Sequence, residues 1–414
     1  MATLTNWAKN VVFTAAELLE PTSMPQLQQL VASHDRLRVL GTGHSFNRIA
    51  DSPISLLSVR SLPRVLELDS AAATVRVSAG TRYGELAPFL DQHGFALSNL
   101  GSLPHISVAG ACATGTHGSG NANQVLAAAV RAQQLVRADG ELVELTVADA
   151  GFAGSVVALG ALGVVTELTL ALVPAFQLRQ YVYDDLSLAT LADGFEQISA
   201  AAYSVSAFTR WRDGAQLWLK SEQGRADEPF FGARPATGTR HPLPDGDLSS
   251  ATEQLGVPGP WQQRLPHFRL EFTPSSGAEI QSEYFVDRAL AAPAFAAVQS
   301  MAEQLQPVLQ ISEIRTIAAD ELWLSPCYGR DRVALHFTWI RDEAALIPVL
   351  RELESRLAEF DAVPHWGKYF LTAPDRLAQL HPELGRFAAL MAEHDPSGTF
   401  TNEFVRRTVL GEQS

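Results

Sequence analysis

The chain has 414 residues, beyond the size at which single hydrophobic cores usually stop growing, so two domains are expected. Its formal net charge is −14 and no long basic run is present, which argues against nucleic acid or an anionic membrane as a partner. The two cysteines, Cys112 and Cys327, stand far apart with no Cys-x-x-Cys or Cys/His metal spacing, so neither a disulfide scaffold nor a metal site is expected, and a reducing cytoplasm fits.

At the N-terminus, Thr5, Asn6, Lys9 and Asn10 interrupt any apolar core of signal-peptide length. Leu37 to Leu40 is strand-like and runs into Gly41-Thr42-Gly43-His44-Ser45-Phe46-Asn47, two glycines flanking a turn with a histidine directly after it. Thr74 to Ser78 is a further strand, and Thr81 opens a helix in which Leu86, Phe89 and Leu90 share a face before Gly94 ends it. A second glycine-rich segment runs from Gly101-Ser102-Leu103-Pro104-His105 to Gly118-Ser119-Gly120. Val130 to Val136 and Leu142 to Val147 flank Asp139-Gly140, a strong hairpin signal. The apolar stretch Phe152 to Phe176 reads as a short helix running into a strand. There Leu168, Leu170 and Leu172 face away from Glu167, Thr169 and Ala171, a pattern that does not suit a membrane span.

From about residue 176 the texture changes. Gln177 to Tyr183 and Val205 to Trp211 are strand-like and are separated by a helix carrying Leu188, Leu191, Phe195 and Ile198. Glu222 to Pro260 is dense in Pro, Gly, Ser and Thr and is expected to be a long surface excursion or a lid. Strands resume at Arg269, Glu283, Ile311 and Val333, covered by helices at Ala289 to Gln304 and Asp342 to Glu359. The whole is an α+β pattern, a mixed sheet with short helices followed by an antiparallel sheet under helices.

Glycine turns of this kind bring backbone N–H groups to a phosphate. A P-loop would need Lys and then Ser or Thr after its last glycine, and a dinucleotide fingerprint would need a third glycine opening a helix; after Gly43 come His44, Ser45 and Phe46. Two loops of this type suggest one long ligand. In the second half, period-two alternation puts Glu313 and Arg315 on one strand face with Ile311 and Ile317, and His336 with Thr338 opposite Leu335, Phe337 and Trp339. Read as a strand, Trp366-Gly367-Lys368-Tyr369-Phe370 puts Lys368 on the face of Trp366 and Phe370. By themselves these patterns also describe cross-strand ion pairs and wet sheet faces.

Gly41 to Asn47 together with the second glycine segment resembles the flavin-binding domain of the vanillyl-alcohol oxidase (FAD-linked oxidase) superfamily. With Gly101 to His105 and the late His365-Trp366-Gly367-Lys368 added, the chain is most similar to the alditol oxidases, the xylitol and sorbitol oxidases, over about residues 5 to 405. Aldonolactone oxidoreductases such as gulonolactone oxidase share the first and last motifs more loosely. The resemblance implies a two-domain fold of that superfamily, with an FAD-binding domain of the PCMH type over 1–175, a substrate-binding cap domain over 176–375, and a 376–414 segment, including Thr399 to Phe404, that returns to the FAD domain.

It also implies a chemistry. His44 would be joined covalently to FAD, and Gly41, Thr42, Gly43, Ser45, Asn47, Gly101, Ser102, Ser107, Val108, Gly110, Thr114, Gly115, His117 and Val164 would complete the cofactor site. Ser102, Glu313, Arg315, His336, Thr338 and Lys368 would bind a polyol, with Lys368 as general base and Arg315 both lowering its pKa and stabilising an alkoxide. Gly101 would leave room for O2, so that an oxidase releasing hydrogen peroxide and needing no metal is expected; a cytoplasmic location is expected, and the oligomeric state stays open with a monomer favoured. A lactone-oxidising relative and a non-catalytic flavin- or carbohydrate-binding protein are the alternatives.

Overall fold

The computed structural model describes residues 4–225, 228–272 and 278–412. Two sheets, with a two-stranded pair of Phe95–Ala96 and Val173–Pro174 beside them, carry the chain before the largest sheet begins. Strands β1 (Glu17–Leu19), β2 (Leu37–Val39) and β3 (Ser55–Leu57) form a small parallel sheet in the order β1-β3-β2. Strands β4 (Leu66–Asp69), β5 (Thr74–Ser78), β6 (Val130–Val136), β7 (Leu142–Thr146) and β8 (Val164–Ala171) form an antiparallel sheet in the order β4-β5-β8-β6-β7. The Asp139-Gly140 hairpin joins β6 to β7, with Gly140 at φ +84°, a left-handed value that glycine adopts without steric cost. Along β8 burial alternates strictly, as its sequence pattern requires.

A nine-stranded sheet follows. Its main strands are β9 (Gln177–Leu186), β10 (Ser204–Thr209), β11 (Ala215–Ser221), β12 (Glu279–Asp287), β13 (Leu309–Ile317) and β14 (Arg332–Ile340), ordered β9-β11-β10-β13-β14-β12. The Glu343–Leu357 helix covers it, opened by Asp342, whose side chain accepts from the Ala345 N–H, and burying Leu346, Leu350, Leu353 and Leu357.

Several expectations need correction. Ala215–Ser221 is a central strand that its short, Trp- and Lys-containing pattern did not betray. Gly194 splits the helix through Leu188 and Ile198 into Leu188–Asp193 and Phe195–Ser199, since glycine weakens a helix interior. The Ala289 to Gln304 helix is a 3-10 turn, Arg288–Leu290, then Ala291–Gln299 and Ala302–Leu305. Arg269 lies in a turn region beside an isolated bridge, Ala251 to Phe268, and starts no strand. The excursion from Glu222 to Pro260 is sewn to the sheet, because Arg234–Pro235 and Pro258–Pro260 pair with β9; its residues 226–227 lie outside the described residues.

The C-terminal segment packs back onto the first sheets. The Leu37 N–H donates to the Thr399 carbonyl at 2.9 Å, and Phe400 joins Leu27, Val31, Leu37, Leu57, Val136 and Val164 in one apolar cluster. Among the described residues no helix is long and apolar enough to cross a membrane.

Candidate active site

The first glycine loop is held by the second, through the Ser107 N–H on the Thr42 hydroxyl at 3.4 Å, and by the late His365–Lys368 turn. Gly43 takes φ +69°, the left-handed region in which a side chain would be strained. A Cβ at Gly41 would stand 2.9 Å from the Ser107 hydroxyl, so the two loops approach as closely as glycine permits, and within the second loop a Cβ at Gly110 would stand 2.8 Å from the same hydroxyl. The Phe46 N–H donates to the Gly367 carbonyl at 2.8 Å, and the Asn47 amide donates to the carbonyls of Trp366 at 2.8 Å and Lys368 at 2.7 Å. Asn47 therefore also works as a clamp that brings His44 and Lys368 to the same cavity.

His44 stacks on Trp7, with ring centroids 5.4 Å apart. Neither of its buried ring nitrogens has a well-formed hydrogen-bond partner. Burial, then the neighbouring His105 and Lys368, push its pKa down to about 4, offset only slightly by the Thr42 backbone. The imidazole is thus neutral and its lone pair is uncommitted.

The polar wall opposite comes from sheet register. Cross-strand partners share a face, and Glu283 pairs with His336, His336 with Glu313, and Glu313 with Phe208. One step along, Gln281 pairs with Thr338. Arg315 donates to Glu283 at 2.5 Å, lies 3.6 Å from Glu313, and reaches the Ser102 hydroxyl at 3.4 Å. Lys368 donates to the Gln281 side-chain oxygen, which also meets His336 Nε2 at 3.1 Å. Its Nζ sits 5.1 Å above the centre of the Phe46 ring.

Burial by itself would raise both carboxyl pKa values. The Arg315 guanidinium overrides that, with His117 and His336 helping at Glu283, and holds Glu283 and Glu313 below the ordinary carboxylate range. Arg315 is in turn raised, the two carboxylates outweighing its burial. Burial lowers the Lys368 pKa, Glu283 partly offsets this, and Arg315 lowers it further. His336 falls to about 3, through burial first and Lys368 second. The site therefore combines ionised acceptors, a fixed cation, neutral imidazoles and a lysine biased toward its free amine.

These groups line a single cavity of about 920 Å³ that runs from the glycine loops to the sheet, large enough for a cofactor-sized ligand. Residues 15–146 match the family described as FAD binding domain, and residues 278–408 match the one described as D-arabinono-1,4-lactone oxidase. An alditol oxidase from Streptomyces sp. is 51% identical over 99% of both chains. The chain belongs to the alditol oxidase family. More distant relatives include L-gulono-1,4-lactone dehydrogenase of Mycobacterium tuberculosis, 29% identical over 98% of both chains, and L-gulonolactone oxidase of Mus musculus, 25% identical over 97% of both. Cholesterol oxidase from B. sterolicum superposes with a TM-score of 0.81 over 98% of this chain and 96% of its own at 14% identity, so the fold of the vanillyl-alcohol oxidase type is shared.

In this alditol oxidase family member the cavity takes in Gly41 to Ser45, Asn47, Gly101, Ser102, Ser107, Gly110, Thr114, His117, Glu313, Arg315, His336, Thr338 and Lys368. Three expected cofactor residues lie off it. Val108 packs in the main core, and Val164 points into the Leu27 cluster while its neighbours Gly163 and Val165 face the cavity. Gly115 takes φ +68°, and a Cβ there would stand 2.9 Å from the Pro326 ring. Lys368 reaches the site from a turn, its N–H bonded to the His365 carbonyl, so strand parity does not apply; Trp366 is directed away and donates to the Leu324 carbonyl.

Glu283 and Gln281 were not among the expected site residues, although Glu279, Gln281 and Glu283 alternate along β12 as a polar row. His267 also lines the cavity, from a loop without any local pattern. Among the described residues no group of His, Cys, Asp and Glu is arranged to hold a metal ion.

Proposed function

We propose that the chain oxidises the terminal primary alcohol of polyols such as xylitol and sorbitol to the aldose, using FAD and reducing O2 to hydrogen peroxide. Residues 1–175 with 376–414 would form the cofactor domain and 176–375 the substrate domain. The observation that carries the reading is Lys368, half-buried, with its pKa lowered, and set between the His44 loop and the wall of Gln281, Glu283, Arg315 and His336. Alcohol oxidation needs the O–H proton removed, and a neutral Lys368 Nζ can take it. Arg315, kept cationic by two carboxylates, stabilises the alkoxide that forms. Glu313, His336 and Thr338 offer acceptors and donors to the remaining hydroxyls, which an apolar wall would leave unpaired.

The glycine cradle between Gly41, Gly110 and Ser107 suits an extended phosphate-bearing group, and the bare imidazole of His44 suits covalent attachment. FAD supplies, when bound, a hydride acceptor that no side chain offers. His44→Ala is expected to abolish the fluorescent flavin band on a denaturing gel while the native protein still takes up FAD reversibly. Fluorescence that survives denaturation in the variant would refute the linkage.

Peroxide release from xylitol, sorbitol, glycerol and gulonolactone tests the substrate class. Turnover of the polyols supports the proposal, preference for gulonolactone would favour the lactone-oxidising alternative, and no turnover with any of them would favour a binding protein. A Cβ at Gly101 meets nothing closer than 3.7 Å, so Gly101→Ala changes free volume without distorting the loop. Its reoxidation by O2 is expected to slow on the order of ten-fold, about 1.4 kcal/mol of barrier, measured by stopped flow; an unchanged rate would remove Gly101 as the path for oxygen.

A further inference from the structure

Behind Glu313 lies a chain of buried groups with no part in the chemistry above. Lys220, on β11, donates from Nζ to the Leu265 carbonyl and meets His267 Nδ1 at 3.2 Å. His267 Nε2 meets Glu313 Oε1 at 2.8 Å. The His267 ring is gripped edge-on by Phe208 and Trp218, with centroids 5.2 and 5.3 Å away. Lys220 is 2% exposed, His267 3% and Glu313 5%, so bulk water satisfies none of these groups, and a lysine so buried costs stability unless its donors are hydrogen-bonded.

The directions of the hydrogen bonds are determined by chemistry. Glu313 is ionised and can only accept, so His267 Nε2 must carry a proton. Burial first, then Lys220, push the His267 pKa down to about 4, with Glu313 opposing and Arg315 reinforcing the shift. The ring is therefore neutral, its single proton is on Nε2, and Nδ1 is a bare lone pair that needs a donor. Lys220 is that donor whether or not it is charged, and burial brings its own pKa down to about 7, against the pull of Glu313 and with the push of Arg315. The other polar neighbour, the Ser206 hydroxyl at 3.4 Å from Nε2, is too far to compete.

We infer that Lys220, acting through His267, is a positioning residue that locks Glu313 as an acceptor for a substrate hydroxyl remote from the reacting carbon. The inference rests on the polyol reading above. Arg315 touches Ser102 in the glycine segment, and Glu313 is the next residue on the same face of β13, roughly 6.6 Å further along at the usual rise per residue. Beyond it along β13 the wall turns apolar at Ile311, with Phe208 and Leu243 beside it, so Glu313 with His267 is the last polar station on β13 itself; Thr338 opposite Ile311 lies on β14, and Lys368 meets Gln281 two strands away on β12. Without Lys220 the imidazole is free to move its proton to Nδ1, and a bare Nε2 would then face the carboxylate and push it out of place.

Two measurements on the FAD-loaded enzyme test this. In protein labelled with ¹⁵N-histidine, the resonance that disappears in His267→Gln should show a protonated Nε2 and an unprotonated Nδ1, and Lys220→Met should convert it to a tautomer mixture. A protonated Nδ1 in the parent protein overturns the inference, even if Lys220→Met does not fold or no polyol is turned over. In kinetics, Lys220→Met should raise KM for xylitol about ten-fold and leave kcat within about two-fold, the worth of one hydrogen bond. KM for 1,2-propanediol, which has no remote hydroxyl, should stay put. His267→Gln, whose amide can donate to Glu313 and accept from Lys220, should retain most of the xylitol affinity that His267→Phe loses. Equal losses on both substrates, or an unchanged KM for xylitol in a folded Lys220→Met, would overturn it.

Discussion

Replacing Lys368 by methionine is expected to lower kcat/KM for xylitol by about 10²- to 10⁴-fold, the range that a positioned general base contributes, with the fold and bound flavin intact. Methionine keeps the unbranched stem that crosses the Phe46 ring and removes only the amine that touches Gln281. The pH profile supplies the sign. Only the neutral amine can accept a proton, so activity in the parent enzyme is lost as pH falls through the Lys368 pKa. Burial and Arg315 place that value below an ordinary lysine's, while Glu283 limits the shift. The alkaline plateau should therefore be reached at lower pH than an exposed lysine would allow, and the variant should lack this limb altogether. A Lys368→Met enzyme whose profile keeps the same limb would assign the base elsewhere, and His336, with its pKa near 3, is too weak a base to be that group at neutral pH.

The largest stability effect is expected at Glu283. Its carboxylate receives Arg315 at 2.5 Å, lies 3.2 Å from His117 Nε2, and is almost wholly buried. Glu283→Gln removes one charge of a buried network and leaves Arg315 with Glu313 alone, at 3.6 Å. Breaking one side of such a pair costs about 3–5 kcal/mol, which urea unfolding at neutral pH would read as a lower midpoint with an unchanged slope. The pH dependence separates charge from packing. Because the folded carboxyl is held well below its ordinary value, its contribution is complete above the unfolded value of about 4.3 and fades as pH falls below it. The difference between parent and variant should shrink in acid. A gap that stays constant down to the acid transition would make Glu283 a packing residue only. The same substitution is expected to reduce turnover, since Arg315 would lose the partner that orients it toward Ser102.

Much of this site was legible in local pattern. Gly43 needs its left-handed turn wherever the loop lies, and period-two alternation by itself placed Glu313 with Arg315 and His336 with Thr338, because strand geometry leaves no other choice. The Asp139-Gly140 hairpin and the helix ended by Gly94 followed from turn chemistry in the same way. The glycine and histidine motifs, matched to the alditol oxidases, named the cofactor and the substrate class.

Tertiary structure decided which faces meet. Nothing local to Gln281 and Glu283 distinguishes them from a wet strand edge; the register of β12 against β14 sets them opposite Thr338 and His336 and buries them. Lys368 enters the cavity because Asn47 holds the backbone of its turn from more than three hundred residues away, an interaction that no periodicity encodes. Val164, expected to meet the cofactor through its backbone, sends its side chain to the apolar cluster around Leu27, while its neighbours Gly163 and Val165 line the cavity. His267 and Lys220 become a pair only when a loop closes over β11. Local sequence sets backbone conformation and alternation through short-range sterics, whereas ionisation, proton position and catalytic reach depend on burial and on charges brought together by long-range pairing.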